Sequence, residues 1–290
     1  MRKGILLSGG KGTRLRPITQ VTSKQLLPVY DKPMVYYSLS ILMLAGVREV
    51  LLITDEASLP AYKSLFGDGS HLGLRMEFSV QLSPKGLPDA FVVAEEFLDG
   101  SQSMLILGDN FFHGQGLSEI LRKCAESQDS SIVVRPVVNP NEFGVCQFSE
   151  SGDFLRIVEK PKNPPSNLIA TGVYFFNEDA PQIAKNLSPS PRGELEIADM
   201  INYYASDGGL TVEKLGRGCA WIDTGSFEGL FDAASYVRAV QRQHGFMIGC
   251  LEEIALEQKW ISPDELQSNL NYYYSEYRAY LEGLVEKYLP

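Results

Sequence analysis

The feature that most constrains the fold is a short apolar strand that runs directly into a glycine-rich, basic turn. Residues 4–7 read Gly-Ile-Leu-Leu, and residues 8–17 read Ser-Gly-Gly-Lys-Gly-Thr-Arg-Leu-Arg-Pro. Glycines let backbone N–H groups approach a ligand closely, and Lys11, Arg14 and Arg16 add positive charge to the same turn. Such a turn after a strand is typical of a phosphate-binding site, although it also fits a plain connection between a strand and a helix.

Neither of the two best-known nucleotide motifs fits this turn. The dinucleotide fingerprint Gly-x-Gly-x-x-Gly needs a third glycine where Leu15 stands, which argues against a Rossmann-type oxidoreductase. The Walker pattern needs Gly-Lys-Ser/Thr after a four-residue gap, whereas Gly9 is followed by Gly10. The turn therefore indicates phosphate without saying which molecule carries it.

Composition excludes several classes of protein. The chain has 290 residues and a net charge of −10, which argues against a general nucleic-acid-binding protein, because such proteins carry basic stripes. The four cysteines are far apart and form no Cys-x-x-Cys pair, which disfavours zinc and fits reduced thiols in the cytoplasm. Residues 8–10 interrupt the first apolar run, so we expect no signal peptide, and no run is long enough for a membrane span.

The order of periodic segments predicts an α/β protein. Strand-like and helix-like runs alternate up to residue 135, which implies a Rossmann-like mixed, mostly parallel sheet flanked by helices. Short apolar runs at residues 144–148, 154–158 and 169–176 are separated by tight turns and predict an antiparallel addition. After residue 226 the chain reads as helical, with candidates at residues 228–241, 251–258 and 264–288.

Polar clusters fall at the predicted carboxyl ends of strands, where open α/β sheets bind their ligands. Asp109 follows an apolar strand and suits Mg²⁺, with a turn hydrogen bond as the alternative. Asp223 suits a metal or the N-cap of a helix. Lys160, beside Glu159, could hold a phosphate or form an ordinary surface ion pair, and Arg192 could begin a helix.

Taken in order, these segments resemble the sugar-1-phosphate nucleotidyltransferases, and most closely the branch that uses thymidine nucleotides. The resemblance covers residues 3 to about 258 and rests on an ordered set of segments. These segments are residues 9–15, 23–28, 65–69, 108–110, 143–145, 159–161, 171–174, 192–197 and 221–225.

The resemblance implies a reaction and a set of site residues. The reaction is Mg²⁺-dependent transfer of a thymidylyl group from dTTP to glucose 1-phosphate by single in-line displacement, giving dTDP-glucose and pyrophosphate for deoxysugar biosynthesis. Arg14, Lys24 and Lys160 would be catalytic, and Asp109 and Asp223 would hold the metal. The nucleotide side would comprise Gly9, Gly10, Gly12, Thr13, Arg14, Lys24, Gln25, Gln81, Gly86 and Asp109. The sugar-phosphate side would comprise Asn110, Gly144, Glu159, Lys160, Ala170, Tyr174 and Arg192.

The resemblance also implies a domain organisation and an assembly. We expect a nucleotidyltransferase domain over residues 1–245, with nucleotide binding in 1–110 and sugar-phosphate binding in 111–225, and a helical appendage at 246–290. We further expect a cytoplasmic homotetramer with a second, regulatory nucleotide-sugar site. A UTP-dependent uridylyltransferase and a non-catalytic nucleotide-sugar sensor are the alternatives. The chain departs from the family pattern at Pro88-Asp89, where Ala-Gln is usual.

Overall fold

The computed structural model describes residues 2–83 and 85–288 and shows a mixed sheet covered by helices on both faces. The strands are β1 (Lys3–Leu7), β2 (Pro28–Val29), β3 (Lys32–Pro33), β4 (Glu49–Thr54), β5 (Arg75–Val80), β6 (Ser103–Leu107), β7 (Asn110–His113), β8 (Ser130–Pro136), β9 (Gly144–Phe148), β10 (Phe154–Glu159), β11 (Leu168–Phe176), β12 (Leu210–Lys214) and β13 (Ala220–Asp223). The helices are α1 (Met34–Leu44), α2 (Leu59–Phe66), α3 (Asp89–Val93), α4 (Glu95–Leu98), α5 (Leu117–Glu126), α6 (Ala180–Asn186), α7 (Ile197–Ser206), α8 (Phe227–His244), α9 (Leu251–Glu257), α10 (Pro263–Asn269) and α11 (Ser275–Tyr288).

The main sheet has a parallel half and a largely antiparallel half. Its order is β10-β9-β11-β6-β1-β4-β5, with β8 beside β11 and β12 beside β8. Strands β6, β1, β4 and β5 run parallel, whereas β11 runs antiparallel to β6, β8 and β9. The predicted α/β class with a parallel sheet and an antiparallel addition is therefore confirmed. Residues that follow β1, β4, β5 and β6 meet at one edge, where the glycine turn and Asp109 lie.

The β7–β13 ribbon, an antiparallel pair outside the main sheet, was not predicted from the sequence. Its register places Asn110 opposite Asp223 and Phe112 opposite Trp221. The pairing joins segments that are far apart in the chain, so local apolar patterns do not reveal it. The ribbon carries two predicted site residues as direct neighbours.

Helix α1 lies at the centre of one face of the sheet and is apolar almost all round. Nine of its eleven residues are buried, because it packs against the sheet on one side and against α5 and α9 on others. Helices α3, α6 and α7 line the core on the opposite face, where Phe91 and Phe176 are fully buried. Helix α8 packs on the β7–β13 ribbon, with Val237 in the small core beneath it.

The prediction of one helix over residues 264–288 is wrong. Helix α10 ends at Asn269, Leu270–Tyr272 form a 3₁₀ turn, and α11 begins at Ser275, whose φ is 59°. The break turns Tyr273 and Tyr277 inward, and both hydroxyls donate to the carboxylate of Glu252 on α9, which is 2% exposed. No helix among residues 2–83 and 85–288 is long and apolar enough to cross a membrane.

Candidate active site

A cleft of about 510 Å³ opens between the carboxyl edge of the parallel strands and the antiparallel half of the sheet. It brings together residues from both sides of the predicted site. The predicted residues that line it are Arg14, Asp109, Asn110, Gly144, Glu159, Lys160, Ala170, Tyr174 and Asp223. A second hollow of about 300 Å³ is lined by Gly10, Lys11 and Lys24, on the glycine-turn side. Eleven predicted residues thus line two hollows, whereas seven others line neither: Gly9, Gly12, Thr13, Gln25, Gln81, Gly86 and Arg192.

The glycine turn is anchored at both ends and leaves its basic side chains exposed. Gly12 has φ 54° and precedes a 3₁₀ turn at Thr13–Leu15, and its carbonyl accepts a 2.6 Å hydrogen bond from Thr19 Oγ1. Leu15, which stands at the third-glycine position, is fully buried and fixes the turn in the core. Arg14 is free to reach across the cleft, where its Nη2 lies 3.6 Å from Asp223 Oδ2.

Gln25 supports the turn from below. It is 1% exposed, its Nε2 donates to Gly9 O at 3.3 Å, and its Oε1 accepts from Ser23 Oγ at 2.7 Å. A side chain with both amide groups engaged by the protein is suited to hold Gly9 in place. The structure thus puts Gln25 behind the loop that the resemblance assigned to the nucleotide.

Asp109 directly follows Gly108 after β6 and is held by its backbone as well as its side chain. Its carbonyl accepts hydrogen bonds from the N–H and the Oγ1 of Thr224, at 3.1 and 2.6 Å. Its carboxylate forms an ion pair with Lys24, and both side chains are largely buried. Lys24 thus neutralises Asp109 at the junction between the two hollows.

Asp223 ends β13 and presents a second carboxylate on the same side. Its Oδ1 accepts a 2.9 Å hydrogen bond from Gly225 N. Burial raises the pKa of Asp223, and the nearby negative charge of Asp109 raises it further. The alternative role as a helix N-cap is wrong, because Ser226 caps α8 by accepting from Gly229 N at 3.1 Å.

Asp109 and Asp223 together fit a divalent cation of the Mg²⁺ type. Such a cation binds through one or two carboxylates and completes its shell with water and phosphate oxygens, so it needs no larger protein cage. Residues 2–83 and 85–288 gather no cluster of three or more metal-ligating acids, histidines or cysteines. This pair of carboxylates therefore suits a cation that arrives with a phosphate ligand.

Glu159 and Lys160, which line the cleft, belong to a small charged network that extends to Arg192 and Glu196. Arg192 Nη2 lies 2.7 Å from Glu196 Oε2 and 3.4 Å from Glu159 Oε1, and Lys160 Nζ lies 4.0 Å from Glu159 Oε1. Arg192 does not begin a helix, because α7 starts only at Ile197. Lys160 has φ 43°, and its N–H donates to Phe143 O at 3.0 Å, so its backbone is fixed while its side chain stays half exposed.

Replacing Glu159 by Gln is expected to raise the melting temperature of the free protein at pH 7. Burial raises the pKa of Glu159, so the folded state binds this proton more tightly than the unfolded chain. The contribution of Glu159 to the free energy of unfolding is therefore greatest below the unfolded pKa of about 4.3, where the carboxyl is protonated. This contribution is lost as the pH rises through the folded pKa. Thermal melts from pH 4 to 8 should show the gain of the variant growing with pH. The melting temperature of the variant minus that of the natural chain should be larger at pH 7 than at pH 4. A smaller difference at pH 7 would contradict this prediction.

Gln81 and Gly86 do not line the larger cleft: Gln81 lies against the glycine turn, and Gly86 lies against Leu195. An ideal Cβ built on Gly9 would lie 3.7 Å from Gln81 Oε1, so this amide sits directly against the turn. Gly86 has φ 111° and pairs with Leu195, and a Cβ there would lie 2.0 Å from Leu195 O. Only glycine fits at this position, which ties the segment after β5 to the start of α7.

Sequence reasoning assigned no site role to Trp221 and Asn141, which also line the cleft. Trp221 donates its Nε1–H to Thr171 O at 2.9 Å and packs edge-on against Phe143. Asn141 donates to the carbonyls of residues 161 and 162 at 3.3 and 3.0 Å, which holds the segment after Lys160. The Asn-Pro-Asn turn at residues 139–141 is the one local signal that marked this loop.

Comparison with known proteins identifies the family of this chain. The family model for nucleotidyl transferases matches residues 3–239. A glucose-1-phosphate thymidylyltransferase from Neisseria meningitidis is 48% identical over 266 residues, which covers 91% of this chain and 92% of the relative. A glucose-1-phosphate thymidylyltransferase from Mycobacterium tuberculosis H37Rv is 43% identical over 286 residues, covering 98% and 99%.

Solved structures show the same fold. A Bacillus anthracis protein assigned as a glucose-1-phosphate thymidylyltransferase and bound to sucrose superposes with a TM-score of 0.75 at 33% identity, over 82% of this chain and 96% of that one. A UDP-glucose pyrophosphorylase bound to UDP-glucose superposes with a TM-score of 0.72 at 23% identity, over 83% and 100%. The resemblance drawn from the ordered segments is confirmed: the chain belongs to the nucleotidyl transferase family and is an enzyme of that class.

Proposed function

We propose that this enzyme transfers a thymidylyl group from dTTP to glucose 1-phosphate, giving dTDP-glucose and pyrophosphate in the cytoplasm for deoxysugar synthesis. The observation that carries the proposal is that Arg14, Asp109, Asp223 and Lys160 line one cleft, in which Arg14 pairs with Asp223 and Asp109 pairs with Lys24 from the adjoining hollow. Two phosphorylated substrates need positive charge on both sides of the reacting phosphorus. The names of the relatives support the choice of substrates.

The reaction needs positioning and charge neutralisation rather than a general base. A phosphate oxygen of glucose 1-phosphate, already an anion, attacks the α-phosphorus of dTTP in line, and pyrophosphate leaves. Arg14 and Lys24 stabilise the negative charge that develops on pyrophosphate, and Lys160 holds the attacking phosphate as a point charge. The backbone of Gly9, Gly10, Gly12 and Thr13 wraps the nucleotide phosphates.

Asp109 and Asp223 would hold Mg²⁺. When bound, the cation offsets the negative charge of the reacting phosphates. In the free protein Lys24 and Arg14 form ion pairs with these carboxylates. The ion pairs reduce the electrostatic repulsion between the two negative charges. We assign Mg²⁺ on the chemistry of this donor set.

The sugar is assigned to the wall formed by β9, β10 and β11. Glu159, half-buried and facing Gly144, would accept hydrogen bonds from sugar hydroxyls, and a Cβ at Gly144 would lie 3.4 Å from its Oε2. Tyr174 and Ala170, both largely buried, form the apolar floor of the same side. On the nucleotide side, Gln81 and Gly86 would read the base.

The test is pyrophosphate release from glucose 1-phosphate and Mg²⁺ with dTTP, UTP, ATP, CTP or GTP in parallel. We expect release with dTTP foremost, and none after the metal is chelated. A preference for UTP would move the enzyme to the uridylyltransferases. If none of the five nucleotides supports pyrophosphate release, a non-catalytic nucleotide-sugar sensor is favoured.

We also propose a homotetramer with a second nucleotide-sugar site, in which the predicted appendage at residues 246–290 and helix α8 contribute to contacts between subunits. In support, Phe227 and Phe231 on α8 are 47% and 69% exposed and lie one helical turn apart, and Tyr272 and Tyr274 are exposed as well. Light scattering coupled to size-exclusion chromatography measures the assembly directly. A monomer at micromolar concentration would contradict it.

A further inference from the structure

Gln81 and Asp89 form a hydrogen-bonded pair beside the glycine turn. Gln81 follows β5 directly, and its Nε2 donates to Asp89 Oδ2 at 2.7 Å. Asp89 is only 8% exposed, and within residues 2–83 and 85–288 no lysine or arginine forms an ion pair with it. Burying a carboxylate without a counter-ion costs free energy, so this acid is not an ordinary core or surface residue.

The carboxylate decides which end of the Gln81 amide faces it. A carboxylate accepts hydrogen bonds, so it binds the NH₂ group and turns Oε1 the other way. Gln81 Oε1 then lies against the glycine turn, 3.7 Å from where a Cβ of Gly9 would stand. The pair therefore presents a fixed hydrogen-bond acceptor toward the nucleotide side of the edge.

Asp89 itself is held in place by its neighbours. It is the first residue of α3, its N–H lies 3.3 Å from Gly86 O, and Ala90 and Phe91 after it are fully buried. Gly86 is in turn paired with Leu195. The carboxylate is thus carried by a segment that pairs with Leu195 on one side and is anchored in the core by Ala90 and Phe91 on the other.

We propose that Asp89 is a positioning residue that holds the Gln81 amide with its Oε1 toward the base. This inference rests on the proposed function, which puts the base at Gln81. An acceptor at this point selects bases that offer an N–H donor. Thymine and uracil offer their imide N3–H, whereas cytosine has an unprotonated acceptor N3. The pair then separates dTTP and UTP from dCTP, and it leaves dTTP and UTP undistinguished, because they share the imide edge.

The test compares binding of dTTP and dCTP by isothermal titration calorimetry, without glucose 1-phosphate, in the natural chain, Asp89→Asn and Glu96→Gln. Asn at position 89 can donate as well as accept, so Gln81 becomes free to rotate. We expect the dTTP-to-dCTP affinity ratio to fall about tenfold in Asp89→Asn, the size of one hydrogen bond. Glu96→Gln, which removes one exposed charge a few residues away, should leave the ratio unchanged.

A double-mutant comparison separates positioning from a purely structural role. If Asp89 acts through Gln81, then Asp89→Asn should have no further effect on the ratio in a Gln81→Ala background. In turnover assays the KM for dTTP should rise while kcat stays within about twofold, since the reacting groups are elsewhere. Gln81→Ala alone gives the same ratio change if Asp89→Asn fails to fold.

The outcomes distinguish this inference from the proposed function. An unchanged ratio in Asp89→Asn, or an equal loss of both nucleotides, would overturn the role of Asp89 even if dTTP is turned over. A ratio that depends on Asp89 in a protein that releases no pyrophosphate would support base selection and overturn the proposed reaction. Equal affinity of the natural chain for dTTP and dCTP would also overturn the inference.

Discussion

Replacing Asp109 by Asn is expected to lower kcat/KM for pyrophosphate release by about 10³-fold, the effect of removing several kcal/mol of charge stabilisation. The substitution keeps the shape of the side chain and removes its charge, so the proposed Mg²⁺ site loses one of its two acids. The backbone carbonyl of Asp109 still accepts from Thr224, so the β7–β13 ribbon should stay in place. Activity measured over a range of Mg²⁺ concentrations checks this.

The variant should fold with a lower melting temperature, because the largely buried Lys24 loses the carboxylate that balances its charge while the apolar core is unchanged. A cooperative melt separates lost chemistry from lost structure. Asp207→Asn, an exposed aspartate that follows α7, serves as the matched control and should keep full activity. Full activity of Asp109→Asn at ordinary Mg²⁺ would remove Asp109 from the metal site.

Replacing Gly229 by Ala is expected to destabilise the fold by about 1–3 kcal/mol or more, the usual cost of overpacking, and to reduce activity. Gly229 lies in the first turn of α8, and an added Cβ would stand 2.0 Å from Asp223 O. Backbone cannot move aside as a flexible side chain can, so α8 or the end of β13 must shift. Because β13 carries Asp223, the loss of stability and the loss of activity should appear together.

Gly283→Ala in α11 is the matched control, since it makes the same change in a helix with open space around the new methyl group. Helix propensity alone favours alanine over glycine by about 1 kcal/mol, so this variant should be more stable than the natural chain. In urea unfolding, Gly229→Ala should lower the free energy of unfolding and Gly283→Ala should raise it. That result would show that the contact with Asp223, and not helix propensity, determines the effect at position 229. A stabilised Gly229→Ala would contradict the close approach.

Much of the fold could be predicted from the sequence because its signals are local. Residues 4–7 and 104–107 are continuous apolar runs; Ser-Gly-Gly follows the first and Gly-Asp the second, at the edge where ligands bind. The structure places both runs in parallel strands and gathers the residues after them. Their individual roles stay predictions, since each rests on family resemblance and geometry.

What could not be predicted depends on contacts between distant segments. The break between α10 and α11 follows from Tyr273 and Tyr277 reaching Glu252, and no pattern within residues 264–288 records that partner. The cap of α8 falls on Ser226 rather than Asp223, because β13 extends through Asp223 to pair with β7. In each case tertiary pairing overrides the local preference of the residues.

The β7–β13 ribbon also affects how this architecture can diversify. Residues 114–219, which include the wall assigned to the sugar, leave the ribbon at β7 and return to it at β13. The register of these two strands pairs Asn110, the neighbour of Asp109, with Asp223. Insertions or deletions in the loops between the strands therefore need not move Asp109 and Asp223 apart. A single-residue slip in the ribbon itself would turn Asp223 to the opposite face. Sugar preference can therefore drift through loop changes while the spacing of the acidic pair is inherited intact.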